Sequence, residues 1–290
     1  MCFKNQSSKG TKRLKILTGL FLLLVVLFLL IPLPKFKYPC STVVYAANQE
    51  LLGARIAADG QWRFSPEGEI PDNYVKALIL YEDKYFYYHP GVNPVSLGRA
   101  LVQNLKAGRI VSGGSTLSMQ VARMSRNNPP RTLSGKCLEI LMALKLELCY
   151  SKDKILALYA GVAPFGGNVV GITAASWRYF NRPPQKLSWA EAATLAVLPN
   201  APALIHPGRN AAELKQKRDA LLGQLYQKKH IDSLSYQLAL AESLPQAPIP
   251  LPGLALHVVE KAHKQFPGQN VYTSIDYPLQ EKCIALLEQR

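Results

Sequence analysis

The sequence predicts a mainly helical protein that is preceded by one N-terminal transmembrane helix. Three observations support this prediction. An apolar run without any charge lies near the N-terminus, apolar residues recur at helical spacing through most of residues 71–243, and a proline-rich stretch then follows. With 290 residues and 48% hydrophobic composition, the chain is long enough to bury a sizeable core.

Residues 1–37 have the pattern of a cytosolic basic tail and a membrane anchor. The apolar run at residues 16–33 carries no charge, and as a helix it would reach roughly 27 Å, close to the thickness of a bilayer core. Basic residues without any acidic one precede it: Lys4, Lys9, Lys12, Arg13 and Lys15. The positive-inside rule therefore places the tail in the cytosol and the rest of the chain across the membrane. A cleaved signal peptide is the alternative, but the run is longer than a usual signal sequence and no small-residue cleavage site follows it.

The net charge of +15 indicates an anionic partner, such as nucleic acid, a phospholipid surface or a phosphorylated substrate. The predicted anchor favours the membrane surface over nucleic acid. Several enzyme classes are excluded, because the chain has no HExxH motif, no zinc-ligand spacing and no GxSxG motif. A P-loop is excluded as well, since Gly114 stands where that motif needs its lysine.

The rest of the chain divides into three segments. Residues 38–70 carry β-branched and aromatic residues between glycines, which predicts a connector with a few short strands. Residues 71–243 read as one mostly helical domain, in which Ser188 and Glu191 have capping-box spacing and Ser151 is expected to cap a helix. Residues 244–290 begin with a proline-rich linker and continue as a short strand that enters a helix.

The stretch YEDKYFYYHPG, at residues 81–91, places two adjacent carboxylates after an apolar run. The positions on one face of the predicted helix are Val75, Leu78, Ile79, Glu82 and Phe86. This phase points Glu82 inward and turns Asp83 roughly 100° away from that apolar face. A partly desolvated Glu82 would have a raised pKa, which suits a general base or acid. The alternative is a helix-end carboxylate that faces water.

Two further motifs offer groups that could bind phosphate or sugar. The segment SGGSTLSMQVAR is a glycine-rich turn that runs into a helix, and its donors include Ser115, Thr116, Gln120 and Arg123. An ordinary helix cap is the alternative. Lys136 and Glu139 lie three residues apart on one face of the next helix, where an exposed ion pair is the alternative.

Together these motifs resemble those of the family 51 peptidoglycan glycosyltransferases, the polymerase domain of class A penicillin-binding proteins. Five motifs of that family occur in order over roughly residues 71–207. The first three match at Glu82, Asp83, Phe86, His89 and Gly91, at Gly113, Ser115, Thr116 and Gln120, and at Lys136 and Glu139. The fourth is seen in KILALYAGVAPFGG and the fifth in LSWAEAATLAVLPNAP. The segments APFGG and GITAASWRYF look most like the penicillin-binding protein 1C branch of the family.

The resemblance implies a lysozyme-like helical lobe with a smaller membrane-proximal lobe. It also implies polymerisation of lipid II, in which the 4-hydroxyl of one disaccharide attacks the anomeric carbon of the growing chain and displaces undecaprenyl diphosphate. By the same resemblance, Glu82 is the general base and Glu139 assists on the leaving-group side. The residues implied in substrate binding are Asp83, Phe86, His89, Gly114, Ser115, Thr116, Gln120, Arg123 and Lys136.

The resemblance further implies a divalent metal, Mg or Mn, whose ligands it leaves unidentified, and no organic cofactor. The implied partners are lipid II, the growing glycan chain, the membrane and other cell-wall synthesis proteins. The implied location is the bacterial inner membrane, with the N-terminus in the cytosol and the catalytic domain outside it.

The chain departs from the family pattern in four places. Gly135 stands where the family has arginine, Ser118 and Met119 stand where Thr-Gln is more usual, and Ala160 and Gly161 stand where Leu-Asn or Met-Asn is expected. We also expect the transpeptidase domain to be missing beyond its first few residues. These departures leave two other functions open: a catalytically weak, membrane-anchored cell-wall scaffold and a lysozyme-like enzyme that cleaves glycan.

Overall fold

The computed structural model describes residues 15, 17–19, 22, 26, 28–66, 68–109, 113–130, 132–200 and 210–288. This part of the chain is mainly helical, which confirms the predicted fold class at that level. The helices are α1 Asp72–Glu82, α2 Pro94–Ala107, α3 Leu117–Met124, α4 Leu133–Cys149, α5 Lys152–Val162, α6 Ile172–Phe180, α7 Trp189–Val197, α8 Ala211–Gln227, α9 Ser233–Ala241, α10 Leu256–Gln265 and α11 Tyr277–Glu288. The strands are β1 Thr42–Tyr45, β2 Leu51–Arg55, β3 Trp62–Arg63, β4 Val169–Val170 and β5 Asn270–Tyr272.

The predicted transmembrane run lies partly outside the described residues, since positions 16, 20, 21, 23–25 and 27 are not among them. Within the part that is described, no helix has both the length and the apolar character needed to cross a bilayer. The N-terminal anchor therefore stays a prediction.

Helix α7 lies at the centre of the main core. All its residues from Ala190 to Val197 are buried, and a helix that is apolar on every side is expected to lie inside a protein. Helices α1 and α8 pack against α7. Its N-terminus has the predicted capping box: Ser188 Oγ accepts from the Glu191 N–H at 3.1 Å, and the Glu191 carboxylate accepts from the Ser188 N–H at 2.9 Å. Helix α3 packs against α4 and α5 on the other side of the domain.

A three-stranded sheet joins the two ends of the described chain. Its strand order is β2-β1-β5, with β1 antiparallel to β2 and parallel to β5. Helix α10 covers this sheet, so that Val44 and Leu52 share a second apolar cluster with Val259 and Ala262. The predicted connector and the segment that follows the proline-rich stretch are thus paired through one sheet. The proline-rich stretch also contacts the helical domain, because the Ile249 N–H donates to the carbonyl of Arg178 on α6 at 2.5 Å.

Helix α2 differs from its neighbours because its apolar side is uncovered. Asn93 caps its N-terminus at 3.0 Å from the Ser96 N–H, and Gly108 ends the helix in the left-handed conformation. Ala100 is the residue of this helix that is buried. Leu101 and Leu105, which the sequence places on one apolar face, are 61% and 73% exposed. The apolar spacing agrees with the helix, but it carries no information about what this face packs against.

Candidate active site

The Glu82 carboxylate is held by two amides at the end of α1. Gln120, on α3, donates its Nε2 to Glu82 Oε2 at 2.6 Å, and Asn200 Nδ2 lies 3.5 Å from Oε1. Burial raises the pKa of Glu82 above its ordinary value, and the two amide hydrogen bonds offset part of that rise because they stabilise the charged form. The negative charge of Asp83 raises the pKa further, whereas the positive charge of Arg123 lowers it. A raised pKa is a property that a general base needs, so Glu82 is a candidate for that role.

The expectation that Asp83 turns away from the core is wrong. Its side chain is buried, and helix α1 ends at Glu82, so that Asp83 already has the non-helical angles φ −154° and ψ 75°. Helical phase does not apply to a residue whose backbone has left the helix. The inward face of α1 also differs from the expected one, since it carries Tyr74, Ala77, Leu78 and Leu80.

Asp83 connects two elements of the site instead. Both of its oxygens lie 3.0 Å from His89 Nε2, and Oδ2 also accepts from the Leu117 N–H at the start of α3, at 3.0 Å. The Gly91 N–H donates to His89 Nδ1 at 3.2 Å, so Nε2 is the ring nitrogen that carries the proton toward Asp83. Phe86 is fully buried within the turn between Asp83 and His89. Asp83, Phe86 and His89 are therefore buried residues that support the site.

The second motif forms the start of α3. Thr116 caps this helix, as in the alternative interpretation: its hydroxyl accepts from the Met119 N–H at 3.2 Å and donates to the Gly91 carbonyl at 2.6 Å. The hydroxyl is buried and engaged in both roles. Gly114 passes close to α2, because a Cβ there would come within 2.9 Å of the Leu97 Cα and the Ser96 carbonyl oxygen. A close backbone approach of this kind requires glycine.

Lys136 links the second motif to the third. Its ammonium lies 2.5 Å from Ser115 Oγ and 3.1 Å from Glu139 Oε2. The Glu139 side chain is only 11% exposed, so this is not the fully exposed ion pair of the alternative interpretation. A cation and a hydroxyl held side by side can bind the oxygens of a phosphate group.

These groups border one cleft of about 140 Å³. Glu82, Gly114, Ser115 and Thr116 line it, and Lys136 and Glu139 connect to it through Ser115. Gln120 reaches it through its bond to Glu82. Residues of the first two motifs thus line one opening, and Gln120 and Lys136 are hydrogen-bonded to that lining.

Sequence reasoning did not identify several residues of this site. The cleft is also lined by Lys84 and Arg99, and Asn200 contacts Glu82. Arg99 had a visible signal, since it is the one charged residue in the run VSLGRALVQNL. Asn200 follows a buried helix and a turn, and no spacing in the sequence relates it to Glu82.

The described residues contain no group of three His, Cys, Asp or Glu side chains arranged to hold a metal ion. Mg²⁺ usually takes only one or two carboxylates together with substrate phosphate oxygens. Glu139 is the carboxylate of the cleft that stands beside a phosphate-type donor set, so it fits that role. The metal remains a prediction.

Comparisons with known proteins place this site in context. The profile of the transglycosylase family matches residues 49–226. The chain is 39% identical over 258 residues to "Penicillin-binding protein 1C" of Escherichia coli (strain K12), which covers 89% of this chain and 33% of that relative. It is 34% identical over 230 residues to "Penicillin-binding protein 1A" of Aquifex aeolicus (strain VF5), which covers 78% and 31%.

A crystal structure of Penicillin-Binding Protein 1A from Haemophilus influenzae also matches, with a TM-score of 0.40 and 17% identity over 83% of this chain and 27% of that one. A likeness at that level supports no conclusion about the fold. The chain spans about a third of the length of the curated relatives it matches.

Proposed function

Because the chain belongs to the transglycosylase family, we propose that it is a peptidoglycan glycosyltransferase that polymerises lipid II and releases undecaprenyl diphosphate. One observation carries this proposal most directly. A half-buried carboxylate with a raised pKa, that of Glu82, shares a cleft with Ser115, whose hydroxyl contacts the Lys136 ammonium. A base for a sugar hydroxyl and a cationic site for a diphosphate are the two things this reaction needs.

In the proposed step, Glu82 takes the proton from the 4-hydroxyl of one disaccharide. The hydroxyl oxygen forms a bond to the anomeric carbon of the growing chain, and the bond between that carbon and the diphosphate oxygen breaks. The electron pair leaves with the diphosphate. Gln120 and Asn200 contact the two carboxylate oxygens, at 2.6 Å and 3.5 Å, and so fix the orientation of Glu82 in the cleft.

In this proposal, Lys136 and Ser115 stabilise the leaving group. Arg123 adds positive charge close to Glu82. If a divalent metal is bound, Glu139 would hold it together with diphosphate oxygens, and the ion would supply further positive charge.

The proposed substrate also indicates where in the cell the enzyme works. Lipid II is anchored in a membrane, so an enzyme that polymerises it must work at the bilayer surface. The predicted anchor at residues 16–33 and the net charge of +15 support a place on the outer side of the bacterial inner membrane. The growing glycan and other cell-wall synthesis proteins are the proposed partners.

The test is an assay of purified protein with labelled lipid II and Mg²⁺, in which wild type is compared with Glu82→Gln. The matched control is Glu260→Gln, which neutralises an exposed carboxylate on α10 that pairs with Arg55. We expect polymer from wild type and from the control, and none from Glu82→Gln. Digestion of preformed glycan without polymer would indicate the glycan cleaver instead, and absence of both activities would indicate the scaffold.

A further inference from the structure

A buried ion pair lies next to the proposed site and outside the lining of the cleft. Glu147 near the end of α4 and Lys152 at the start of α5 are 2.8 Å apart, with side-chain exposures of 7% and 21%. Burying two charges costs free energy unless their other hydrogen-bonding positions are also used. Because α4 and α5 are already joined by a connection of two residues, the pair is not needed to hold them together.

The remaining contacts of Lys152 go to the turn that follows Asp83. Its ammonium donates to the His89 carbonyl at 2.7 Å and lies 4.4 Å from the centroid of the Phe86 ring. A cation over an aromatic face at this distance is attracted to it. Gly91, in the same turn, packs directly on α4: a Cβ there would come within 2.8 Å of the Ala143 carbonyl oxygen and of Glu147 Cγ.

The remaining contact of Glu147 goes to α3. Its Oε1 accepts from Ser118 Oγ at 2.5 Å, and Ser118 is fully buried. Ser118 lies next to Leu117, whose N–H donates to Asp83, and two residues before Gln120, which donates to Glu82. The ion pair thus contacts both parts that must stay in register for Gln120 to reach Glu82: the turn after α1 and the first turn of α3.

We propose that Lys152 and Glu147 are positioning residues that hold the turn at residues 86–91 and helix α3 in the arrangement that places Gln120 against Glu82. Neither residue contacts the cleft. The inference rests on the proposed function, because it assigns the pair a role in the reaction of that same site.

The first measurement compares Lys152→Met with Lys154→Met in the lipid II assay. Lys154 is exposed in the same turn of α5, so the control removes a lysine charge only two residues away from Lys152. We expect Lys152→Met to lower kcat on the order of 10-fold to 100-fold, because small misplacements of catalytic groups have effects of that size. KM should change little, since the pair does not bind substrate. Lys152→Arg should recover part of the loss, and Lys154→Met should match wild type.

A second variant separates positioning from simple stability. Glu147→Gln/Lys152→Met removes both buried charges, so its Tm should be higher than that of Lys152→Met alone, which leaves Glu147 buried without its partner. We expect kcat of the double variant to stay low despite the recovered Tm. The pH profile should shift too: if Gln120 no longer reaches Glu82, the acid limb moves to higher pH, because that bond stabilises the carboxylate.

The inference is wrong if Lys152→Met retains the wild-type kcat, or if the double variant regains kcat together with Tm. Hydrogen exchange at the Leu117 amide provides a readout that does not need activity. It should be faster in Lys152→Met than in Lys154→Met, and equal rates would overturn the inference. If wild type makes no polymer, the proposed function fails, and the exchange measurement still decides whether Lys152 holds the start of α3.

Discussion

At the scale of single residues, the adjacent carboxylates Glu82 and Asp83 have different environments and therefore different roles. Glu82 is bonded to amides of α3 and of the turn after α7, and it lines the cleft. Asp83 is buried and accepts from His89 and from a backbone N–H of α3. Glu82 is half-buried in the lining of the cleft, whereas Asp83 is buried and its Oδ2 serves two donors, so we propose Glu82 rather than Asp83 as the base.

Substitution of the two carboxylates should separate these roles. We expect Glu82→Gln to lower the rate of polymerisation on the order of 10²-fold to 10⁴-fold, which is the usual contribution of a general base. Asp83→Asn should retain more activity but lower the free energy of unfolding by about 1 to 3 kcal/mol, because the neutral amide weakens both hydrogen bonds and its NH₂ group would face a donor, His89 Nε2 or the Leu117 N–H. Denaturant unfolding and the lipid II assay measure the two effects. The opposite order of activities would contradict the assignment of the base.

The raised pKa of Glu82 makes both activity and stability depend on pH. As pH falls through the raised value, the base becomes protonated, so the acid limb of kcat/KM should lie above the ordinary carboxyl value of 4.5. The charged and titratable groups that act electrostatically with Glu82 are Asp83, Arg123, Tyr74, Tyr81 and Tyr159. An acid limb at or below the ordinary value would show that the carboxylate is not desolvated in solution.

The pH dependence of stability that Glu82 contributes has the opposite sign to that of an ordinary ion-paired carboxylate. The folded state binds the Glu82 proton more tightly than the unfolded state, so ionisation destabilises the fold as pH rises through the interval between the two pKa values. Glu82→Gln, which cannot ionise, should therefore have a higher Tm than wild type at neutral pH, and the difference should vanish below the ordinary carboxyl pKa. Thermal scans from acid to neutral pH measure this difference.

At the scale of elements, the turn between α1 and α2 is packed directly against α4. Gly91 has φ +92° and leaves no room for a Cβ beside the Ala143 carbonyl oxygen. Its own carbonyl accepts from the Thr116 hydroxyl that caps α3. Gly91 therefore lets the turn between α1 and α2 lie against both α4 and the start of α3, and its substitution should disturb both contacts.

Gly91→Ala and Gly108→Ala form a matched pair for this prediction. Both residues have positive φ, but a Cβ at Gly108 would meet nothing within 4 Å. We expect Gly108→Ala to cost about 1 to 2 kcal/mol of unfolding free energy for the left-handed conformation alone, and Gly91→Ala to cost about 1 to 3 kcal/mol more for the forced contact. Denaturant unfolding of both variants measures the difference. Equal losses would mean that the turn can move away from α4.

The elements also show which features the sequence could predict. Helix caps are local, so Ser151 and Ser188 were found from spacing alone, and both cap their helices. The burial of Asp83 depends on His89 and on the start of α3, which lies outside its own helix, and helical phase therefore gave the wrong answer. The short strand and helix near the C-terminus were predicted correctly as β5 and α11, but their pattern carried no information about the pairing partner β1.

The same limit applies to the candidate site. The motifs identified Glu82, Gln120, Ser115, Lys136 and Glu139, which the structure brings around one cleft. The residues outside the lining of the cleft were missed because their role comes from tertiary contacts: the Glu147–Lys152 pair has no distinctive spacing, and its partners lie on α3 and in the turn at residues 86–91.

At the scale of the whole molecule, the sheet β2-β1-β5 and helix α10 form a second, smaller core. Val44 and Leu52 from the N-terminal strands pack with Val259 and Ala262 from α10. A hydrogen bond between Thr42 and His263 and one from the Gly268 N–H to Thr42 add polar contacts between the same two segments. The residues before and after the helical domain therefore depend on each other for burial.

Val259→Ala tests this dependence, with Val95→Ala as the matched control. Val259 is buried and Val95 is 80% exposed. We expect Val259→Ala to lower the free energy of unfolding by about 1.5 kcal/mol, from the loss of two buried carbon groups, whereas Val95→Ala should have almost no effect. The amides of β1 should also exchange faster in Val259→Ala. Unchanged exchange in β1 would mean that α10 does not support the sheet.

The pairing of β1 with β5 also sets an order of events during synthesis. Val43 pairs with Asn270, and at about 5 to 20 residues per second a ribosome needs roughly 10 to 45 s to make the chain between them. Throughout that delay, β1 has an unpaired edge, and Val44 and Leu52 lack the helix that later covers them. Contacts so distant in sequence form slowly. The nascent hairpin of β1 and β2 is therefore the place where we expect a folding chaperone to bind, and where aggregation would begin without one.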